Sequence, residues 1–448
     1  MIRSKRIRPI CEGKGSIVRQ EESCRPLKIL LATEWYYPLV NGVVISVENL
    51  SRSLQERGHD VRIMTLSPRF FPLKKDNIYY IGSVKAERLY PGGRASFPAY
   101  FPHYEELTVW APDVVHTHAE FTTFFLARRL AATHNIPRVH TYHTMYEDYT
   151  HYFTSRREMG KKTIEFLSRR LLQDLDRVIA PTEKVEKLLL GYGITTPIEV
   201  VPTGIDLQRF TKSPHESKIS EIRKKWGITE SNKVLLYVGR MAKEKNLDEL
   251  IDYFFMAKEE NWRLLMVGDG PYRKELMKLV ERKRLNHRII FTGMIPPEDV
   301  APYYHVGHVF VNSSTSETQG LTYIEALAAG LPCVCRRDPL LSEWVVDGVT
   351  GYGYEDFQGF SQGLRLVFQS EEFRKTLSFH AKSISDKYSI ESFGEKMERI
   401  YRDVITEHLL NREKPERFQV PMHRKIPSLP GFVKFRNEDT VNHKGKTK

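Results

Sequence analysis

The sequence predicts an α/β protein of two domains, each an alternation of strands and helices. Short apolar runs such as residues 27–33 and 234–238 recur, each followed by a polar or glycine-containing loop and then by apolar residues at helical spacing. With 448 residues the chain is long enough for about three domains of ordinary size, or two large ones. Its composition, 41% hydrophobic and 28% charged, suits a globular protein with ample core, and no run approaches the ~18 apolar residues of a membrane span.

Residues 1–26 show no periodicity and are expected to be a flexible basic extension. Strand 27–33 and a polar loop, 34–42, open the first domain. A helix follows from about Val43 to Arg57, with Val44, Val47, Leu50 and Leu54 on one face and Gly58 as its stop; 61–64 returns as a strand and completes a βαβ unit. Gly42 stands directly before that helix. Glycine lets a ligand approach the backbone and the helix N-terminus favours an anion, although a simple turn uses the same residues.

Residues 69–104 interleave aromatic side chains, among them Phe70, Phe71, Tyr79, Tyr80 and Phe101, with Arg69, Lys74 and Lys75. They fit a regular element poorly. The pattern suits a membrane–water interface, or a strand and packed loop whose rings fill the core. Next come a strand at 113–118 with a polar end, a helix at 120–133, and a strand at 138–142 whose C-terminal end delivers His143. Ligands collect at that end of open α/β sheets, yet a lone histidine there is also a common structural residue. A helix from Arg156 to Arg177 points Ile164, Leu167, Leu171, Leu175 and Val178 toward the core. Its remaining surface carries Arg156, Arg157, Lys161, Lys162, Arg169 and Arg170, a solvated back or a face for anionic lipid. Strands at 177–180 and 198–201 bring the domain to its expected end at residue 202.

The second domain repeats the pattern. Strand 234–238 runs into Gly239, Arg240 and, before a helix, Lys245; two loop cations at this spacing can converge on one diphosphate. Strand 264–267 ends in the turn Gly268-Asp269-Gly270, and further strands are expected at 288–292, 307–311 and 332–335. The stretch 312–330 joins the last two. There Gly320 releases the backbone, and Leu321, Ile324, Leu327 and Ala328 recur at helical spacing before Gly330 and Pro332. Glu317 and Glu325 would differ by only ~80° on a continuous helix, so both carboxylates can face one cleft, as they also would on an ordinary solvated face. The free N–H groups around Gly320, Leu321 and Thr322 suit a phosphate. A long helix and a basic, proline-containing tail, 412–448, close the chain.

The net charge is +12, of which residues 1–26 carry +4 and residues 412–448 carry +6, so the body is nearly neutral. No helix-turn-helix, zinc-finger or RNP-like pattern accompanies it, which argues against a nucleic-acid partner; basic tails fit an anionic membrane surface or simple solubility. The N-terminus lacks the apolar segment of a secretory signal. Cys11, Cys24, Cys333 and Cys335 form no Cys-x-x-Cys or Cys/His pattern, so neither disulfide nor zinc is expected and the cytoplasm is favoured.

Glu317 and Glu325, with Arg240 and Lys245 upstream, resemble the constellation of retaining glycosyltransferase family 4, enzymes of the GT-B fold that use nucleotide-sugar donors. The resemblance covers residues 27–410, with its motifs in the family's order. It implies two Rossmann-like domains, 27–202 on the acceptor side and 203–388 on the nucleotide-sugar side. The active site would lie in the cleft between them, and a C-terminal helix, 389–411, would cross back to the first. By the same resemblance Glu317 contacts the donor sugar, Glu325 the ribose, Gly239 and Gly268 line the donor, and Gly42 lies against the diphosphate and the acceptor. Residues 140–152 resemble a signature of bacterial diacylglycerol α-glucosyltransferases within the family, which implies that His143 lines the donor sugar near its reacting carbon. One departure concerns the acceptor: Glu34-Trp35 stands where small polar residues such as Thr-Asp are expected.

The reaction so implied is metal-independent, retaining transfer of glucose from UDP-glucose to the free hydroxyl of diacylglycerol. The enzyme would be peripheral on the cytoplasmic face of the membrane. Arg240, Lys245 and the helix start at 320–322 supply the positive charge that a departing diphosphate needs. Other readings remain: transfer of mannose or galactose to another lipid or a polysaccharide; a phosphorylase or epimerase on the same fold, which would lack the paired glutamates; or a catalytically silent membrane-associated scaffold, which would tolerate loss of Arg240, Lys245 or Glu317, all three of which are present.

Overall fold

The computed structural model describes residues 25–39, 41–86, 94–96, 101–147 and 157–412. The expectations for the basic extension up to residue 24 and for the tail from residue 413 lie outside that set, as do Cys11, Cys24 and residues 148–152 of the motif that contains His143. A compact unit runs to His408; of the second unit, residues 409–448, only the last turn of a helix is described.

The first lobe contains β1 (Lys28–Ala32), α1 (Gly42–Glu56), β2 (Asp60–Leu66), β3 (Leu73–Lys75), β4 (Ile78–Ile81), β5 (Ser83–Lys85) and β6 (Arg94–Ser96). It continues with α2 (Tyr104–Trp110), β7 (Val114–Thr117), α3 (Thr122–His134), β8 (Arg138–Thr141), α4 (Arg157–Leu172), β9 (Arg177–Ala180), α5 (Glu183–Gly191) and β10 (Ile198–Val200). Among the described residues its main sheet has eight strands in the order β10-β9-β8-β7-β1-β2-β4-β3, parallel except for β3. β1 shows why. Its residues alternate between two faces, Ile29 and Leu31 packing with α1 and Leu30 and Ala32 with α2 and α3, so a continuous apolar run is the only pattern that buries both. Asn41 starts α1 by accepting a 2.9 Å hydrogen bond from Val44 N on its side-chain oxygen.

The second lobe holds α6 (Leu207–Thr211), α7 (Glu216–Lys225), β11 (Lys233–Val238), α8 (Leu247–Ala257), β12 (Trp262–Val267), α9 (Arg273–Arg282), β13 (Ile289–Gly293) and α10 (Pro297–Val306). β14 (Val309–Asn312), α11 (Leu321–Ala328), β15 (Cys333–Arg336), β16 (Gly351–Tyr354), α12 (Phe357–Phe368) and α13 (Glu371–Ser385) follow. Six parallel strands run in the order β13-β12-β11-β14-β15-β16. In each sheet the strand order reverses beside the first strand of the lobe, between β1 and β7 and between β11 and β14. Two neighbouring helices leave on opposite faces at such a point, and the crevice they open lies at the C-terminal strand ends.

The last helix, α14 (Ile390–Arg412), places Phe393, Met397, Ile400, Tyr401 and Val404 in the core of the first lobe. Burial of each such side chain contributes about 1.5–3 kcal/mol. That outweighs the ion pairs at its rim, Arg57 with Glu398 at 2.6 Å and Arg177 with Glu407 at 2.7 Å, which are worth ~0–1 kcal/mol where exposed.

Two expectations need correction. Residues 69–104 do contain regular structure: β3 and β4 extend the main sheet and β5 pairs with β6. The aromatic residues divide accordingly. Tyr79, Tyr80 and Phe101 are buried, whereas Phe70 and Phe71 are 62% and 69% exposed at the turn before β3. α4 ends at Leu172, not Arg177, because Leu175 closes a turn and Val178 belongs to β9; the same apolar spacing continues through all three. Its inward face is Gly160, Ile164, Ser168 and Leu172, and Leu167 is half exposed.

Candidate active site

The loops that leave the two switch points carry most of the residues singled out by sequence. After β11, Gly239 and Arg240 lead into a single 3-10 turn, Lys243–Lys245, and Asn246 then takes a left-handed conformation, φ 52°, to start α8. After β14, the loop 313–320 folds onto that turn. Ser313 Oγ donates to Asn246 O at 2.7 Å, Ser316 Oγ donates to Glu244 O at 3.0 Å, and Lys245 Nζ meets Glu317 Oε1 at 2.9 Å. The hydroxyls satisfy carbonyls that a tight turn leaves open, and so fix the carboxylate against the ammonium.

Gly239 and Gly268 are required by close approach. Gly268 lies at φ 132°, and a Cβ there would stand 2.1 Å from Gly239 O; a Cβ on Gly239, at φ 155°, would stand 2.9 Å from the Tyr237 hydroxyl. That hydroxyl donates to Arg240 O at 3.0 Å and shapes the strand-to-loop corner from below. Backbone thus lies on backbone where the ends of β11 and β12 meet.

Gly320, at φ 73°, turns the chain into α11; a Cβ there would meet the Tyr323 ring at 2.8 Å. Leu321 and Thr322 follow as the partly exposed first turn, whose N–H groups have no acceptor within the helix. One turn on, Glu325 Oε2 accepts a 2.5 Å hydrogen bond from the hydroxyl of Tyr304, a fully buried residue of α10. Burial raises the Glu325 pKa, and this bond opposes the rise.

The first lobe contributes from the ends of β1, β7 and β8. Gly42, at the start of α1, faces the second lobe: a Cβ on it would lie 4.0 Å from Leu321 Cδ1. His143 is half-buried just past β8, and its Nε2 is 2.9 Å from Nδ1 of His118, just past β7. Burial, with His140 nearby, pushes the His143 pKa down to about 3, so the ring is neutral. Glu34 explains the departure at 34–35. Its buried carboxyl accepts from Thr123 N at 2.7 Å and from Thr123 Oγ1 at 3.2 Å, at the N-terminus of α3. Burial raises its pKa to about 7 against those bonds. Trp35 packs edge-on to Phe121 beside it.

The lobes meet around the Glu317 loop. Thr182 Oγ1 donates to Thr318 O at 3.0 Å, and Lys184 Nζ donates to Thr315 O at 3.1 Å while pairing with Asp338 at 2.9 Å. Gln319 and the Thr203 backbone exchange two hydrogen bonds, of 2.8 and 3.0 Å. His118, Tyr304, Lys184 and Gln319 were not picked out from sequence. Only the polar end of strand 113–118 hinted at His118; the rest act on residues far along the chain. Among the described residues no group of three or more His, Cys, Asp or Glu is placed to hold a metal ion. The chain's one Asp-x-Asp pair, which sequence reading passed over, is engaged elsewhere: Asp174 with Arg128 at 2.9 Å, and Asp176 with Arg138 N at 2.8 Å and His408 at 2.9 Å.

Residues 40–209 match the family model Glycosyltransferase Family 4, and residues 218–384 match Glycosyl transferases group 1. Alpha-monoglucosyldiacylglycerol synthase of Streptococcus pneumoniae is 34% identical over 386 residues, 85% of this chain and 86% of that protein. The enzyme of the same name from Acholeplasma laidlawii is 32% identical over 391 residues, 85% of this chain and 98% of that protein. Among solved structures, Anabaena Alr3699/HepE in complex with UDP and glucose covers 84% of this chain and 100% of its own, with a TM-score of 0.66 at 17% identity. Sucrose-phosphate synthase from Thermosynechococcus elongatus covers 85% and 100%, with a TM-score of 0.69 at 20% identity; at these identities the likeness shows the fold. Two lobes built on largely parallel sheets, family models matched over residues 40–209 and 218–384, and 34% and 32% identity to two alpha-monoglucosyldiacylglycerol synthases along most of their length place this chain among the family 4 glycosyltransferases, with the GT-B fold.

Proposed function

We propose that this glycosyltransferase moves glucose from UDP-glucose to the free hydroxyl of diacylglycerol at a membrane surface, giving α-glucosyl-diacylglycerol. The observation that carries the reading is the 34% identity to a protein named alpha-monoglucosyldiacylglycerol synthase, spread over both lobes. In this reading Arg240, Lys245 and the N–H groups at Gly320, Leu321 and Thr322 take the diphosphate. Their positive charge grows in value as the leaving group gains negative charge. Glu317, held by Lys245, accepts from sugar hydroxyls; Glu325, held by Tyr304, accepts from the ribose; Gly239 and Gly268 let the nucleotide lie close to the backbone. His143 reaches the sugar from the first lobe as a neutral ring, and Gly42 leaves room beside the diphosphate. The bond from the anomeric carbon to the phosphate oxygen breaks as the acceptor oxygen bonds on the same face. The acceptor proton passes to the departing phosphate oxygen, and UDP leaves.

A lipid acceptor accords with the exposed Phe70 and Phe71 beside Arg69, Lys74 and Lys75, and with Met159, Phe166 and Leu167, all about half exposed or more, beside Lys162 and Arg170 on α4. Such rings and chains suit an interface, and each basic group near anionic lipid adds about 1 kcal/mol. The contact proposed is peripheral, on the cytoplasmic face; no helix among the described residues is long and apolar enough to cross a membrane.

The deciding assay offers UDP- and GDP-sugars with diacylglycerol in mixed anionic micelles, alongside Glu317→Ala. Glucolipid from UDP-glucose alone, lost in the variant, is the expected result. Turnover of a donor without glucolipid would move the acceptor to a polysaccharide or another lipid, and turnover from GDP-mannose would replace the donor. Liposome flotation without salt reads membrane contact separately.

A further inference from the structure

The ring of His118 meets two other histidines. Its centroid lies 4.0 Å from that of His116, and His143 joins it edge to edge, with centroids 5.2 Å apart and 26° between planes. His116 is fixed at both nitrogens: Nδ1 meets the hydroxyl of Tyr401 on α14 at 2.7 Å, and Nε2 meets Thr141 Oγ1 at 2.7 Å. The backbone N–H of His118 donates to Ala32 O at 2.8 Å, which ties the residue to β1. His118 is 2% exposed, whereas His143 is partly open.

His118 Nδ1 is bonded to His143 Nε2, but His118 Nε2 is buried and has no hydrogen-bond partner among the described residues. A buried N–H without an acceptor is rarer and costlier than a buried lone pair without a donor. The proton of the neutral His118 ring accordingly sits on Nδ1, where it is satisfied, and Nε2 carries the lone pair. Nδ1–H then donates to His143 Nε2, and the neutral His143 ring must hold its own proton on Nδ1.

We infer that His118 is a positioning residue that fixes His143 in the Nδ1–H form, so that His143 offers a hydrogen-bond donor, and not an acceptor or an acid, to the sugar in the cleft. This rests on the proposed role of His143 at the donor sugar. A neutral N–H donor at that place can orient a sugar hydroxyl without adding positive charge beside an anomeric carbon that is itself becoming positive.

The tautomer is read directly from two-bond 1H–15N correlation spectra of the full-length protein labelled at histidine, assigned with His143→Gln and His118→Asn. The expected pattern is a protonated Nδ1 and an unprotonated Nε2 on both rings; a protonated Nε2 on His143 overturns the inference, and no variant needs to be active for this reading. Kinetics supply the second test. In His118→Asn the amide nitrogen takes the place of Nδ1, and kcat stays within about threefold of wild type. In His118→Phe the donor is lost, and kcat falls roughly tenfold with the donor KM little changed. An unchanged kcat in His118→Phe also overturns the inference. If UDP-glucose proves to be the wrong donor, the spectra still decide, and the kinetics are run with the nucleotide sugar that turns over.

Discussion

Lys245 Nζ and Glu317 Oε1 stand 2.9 Å apart, with their side chains 15% and 16% exposed, in loops that leave adjacent strands of the second sheet. Each is the other's charge partner until a donor arrives, so removal of one leaves an unpaired charge facing the cleft. Glu317→Ala is expected to lower kcat/KM by about 10²–10³. Lys245→Met should lower it comparably. The double variant should lose less than the two single losses added together, with a coupling of about 0.5–3 kcal/mol in a double-mutant cycle. Strict additivity would show that the pair does not work as a unit.

Tyr304 holds Glu325 by a single 2.5 Å bond inside the second lobe. Tyr304→Phe keeps the packing and removes the donor. A hydrogen bond to a charged group is worth about 1.5–3 kcal/mol, so UDP affinity measured by calorimetry should weaken roughly tenfold or more while kcat changes less than about threefold. A fall in kcat at unchanged affinity would place Glu325 at the reacting carbon instead of the ribose.

Gly268 and Gly58 both take positive φ, 132° and 91°, but only Gly268 is crowded: its Cβ would meet Gly239 O at 2.1 Å, and nothing lies within 4 Å of the other. Gly58→Ala should therefore cost about 1 kcal/mol of backbone strain. Gly268→Ala must also push β11 and β12 apart at their ends. It should cost about 2–4 kcal/mol in chemical denaturation and abolish UDP binding. Equal losses in the two variants would remove the case for close approach.

Glu34 titrates in a stability measurement. Its folded pKa, about 7, lies above the ordinary 4.5, so between those values the native protein keeps a proton that the unfolded chain has released. Stability then falls as pH rises through the window, by up to about 3 kcal/mol, and levels off above pH 7. Glu34→Gln, which still accepts from Thr123, should flatten the profile and be the more stable protein at pH 8. Urea midpoints between pH 4.5 and 8 measure both. His143, whose pKa is about 3, should add no inflection to kcat/KM between pH 5 and 8.

The legible parts of the site were those written in consecutive residues. Arg240 and Lys245 announce themselves by standing between an apolar strand and a helix, and Gly320 by standing between the Glu317 loop and the helix that carries Glu325. Their supports are not legible in that way. Tyr304 reads as one more aromatic residue of α10, and Gln319 as a loop residue, until the fold sets them against Glu325 and Thr203. The boundary of α4 failed for a related reason: apolar spacing ran on through Leu175 and Val178, and period alone does not reveal where a helix gives way to a turn and a strand.

From the order of its residues alone, the chain determines alternating strands and helices in two lobes and the kinds of group at each strand end. Those follow from local rules, the spacing of apolar side chains and the conformational freedom of glycine. Only the tertiary structure decides that β1 lies beside β7 and β11 beside β14, which opens the two crevices. It also decides that His118 meets His143 and that Thr182 and Lys184 hold the Glu317 loop from the opposite lobe, with Thr203 bonded to it from the segment that joins the lobes. Parallel neighbours and facing lobes are chosen by which distant surfaces bury each other best, and no window of consecutive residues contains both surfaces.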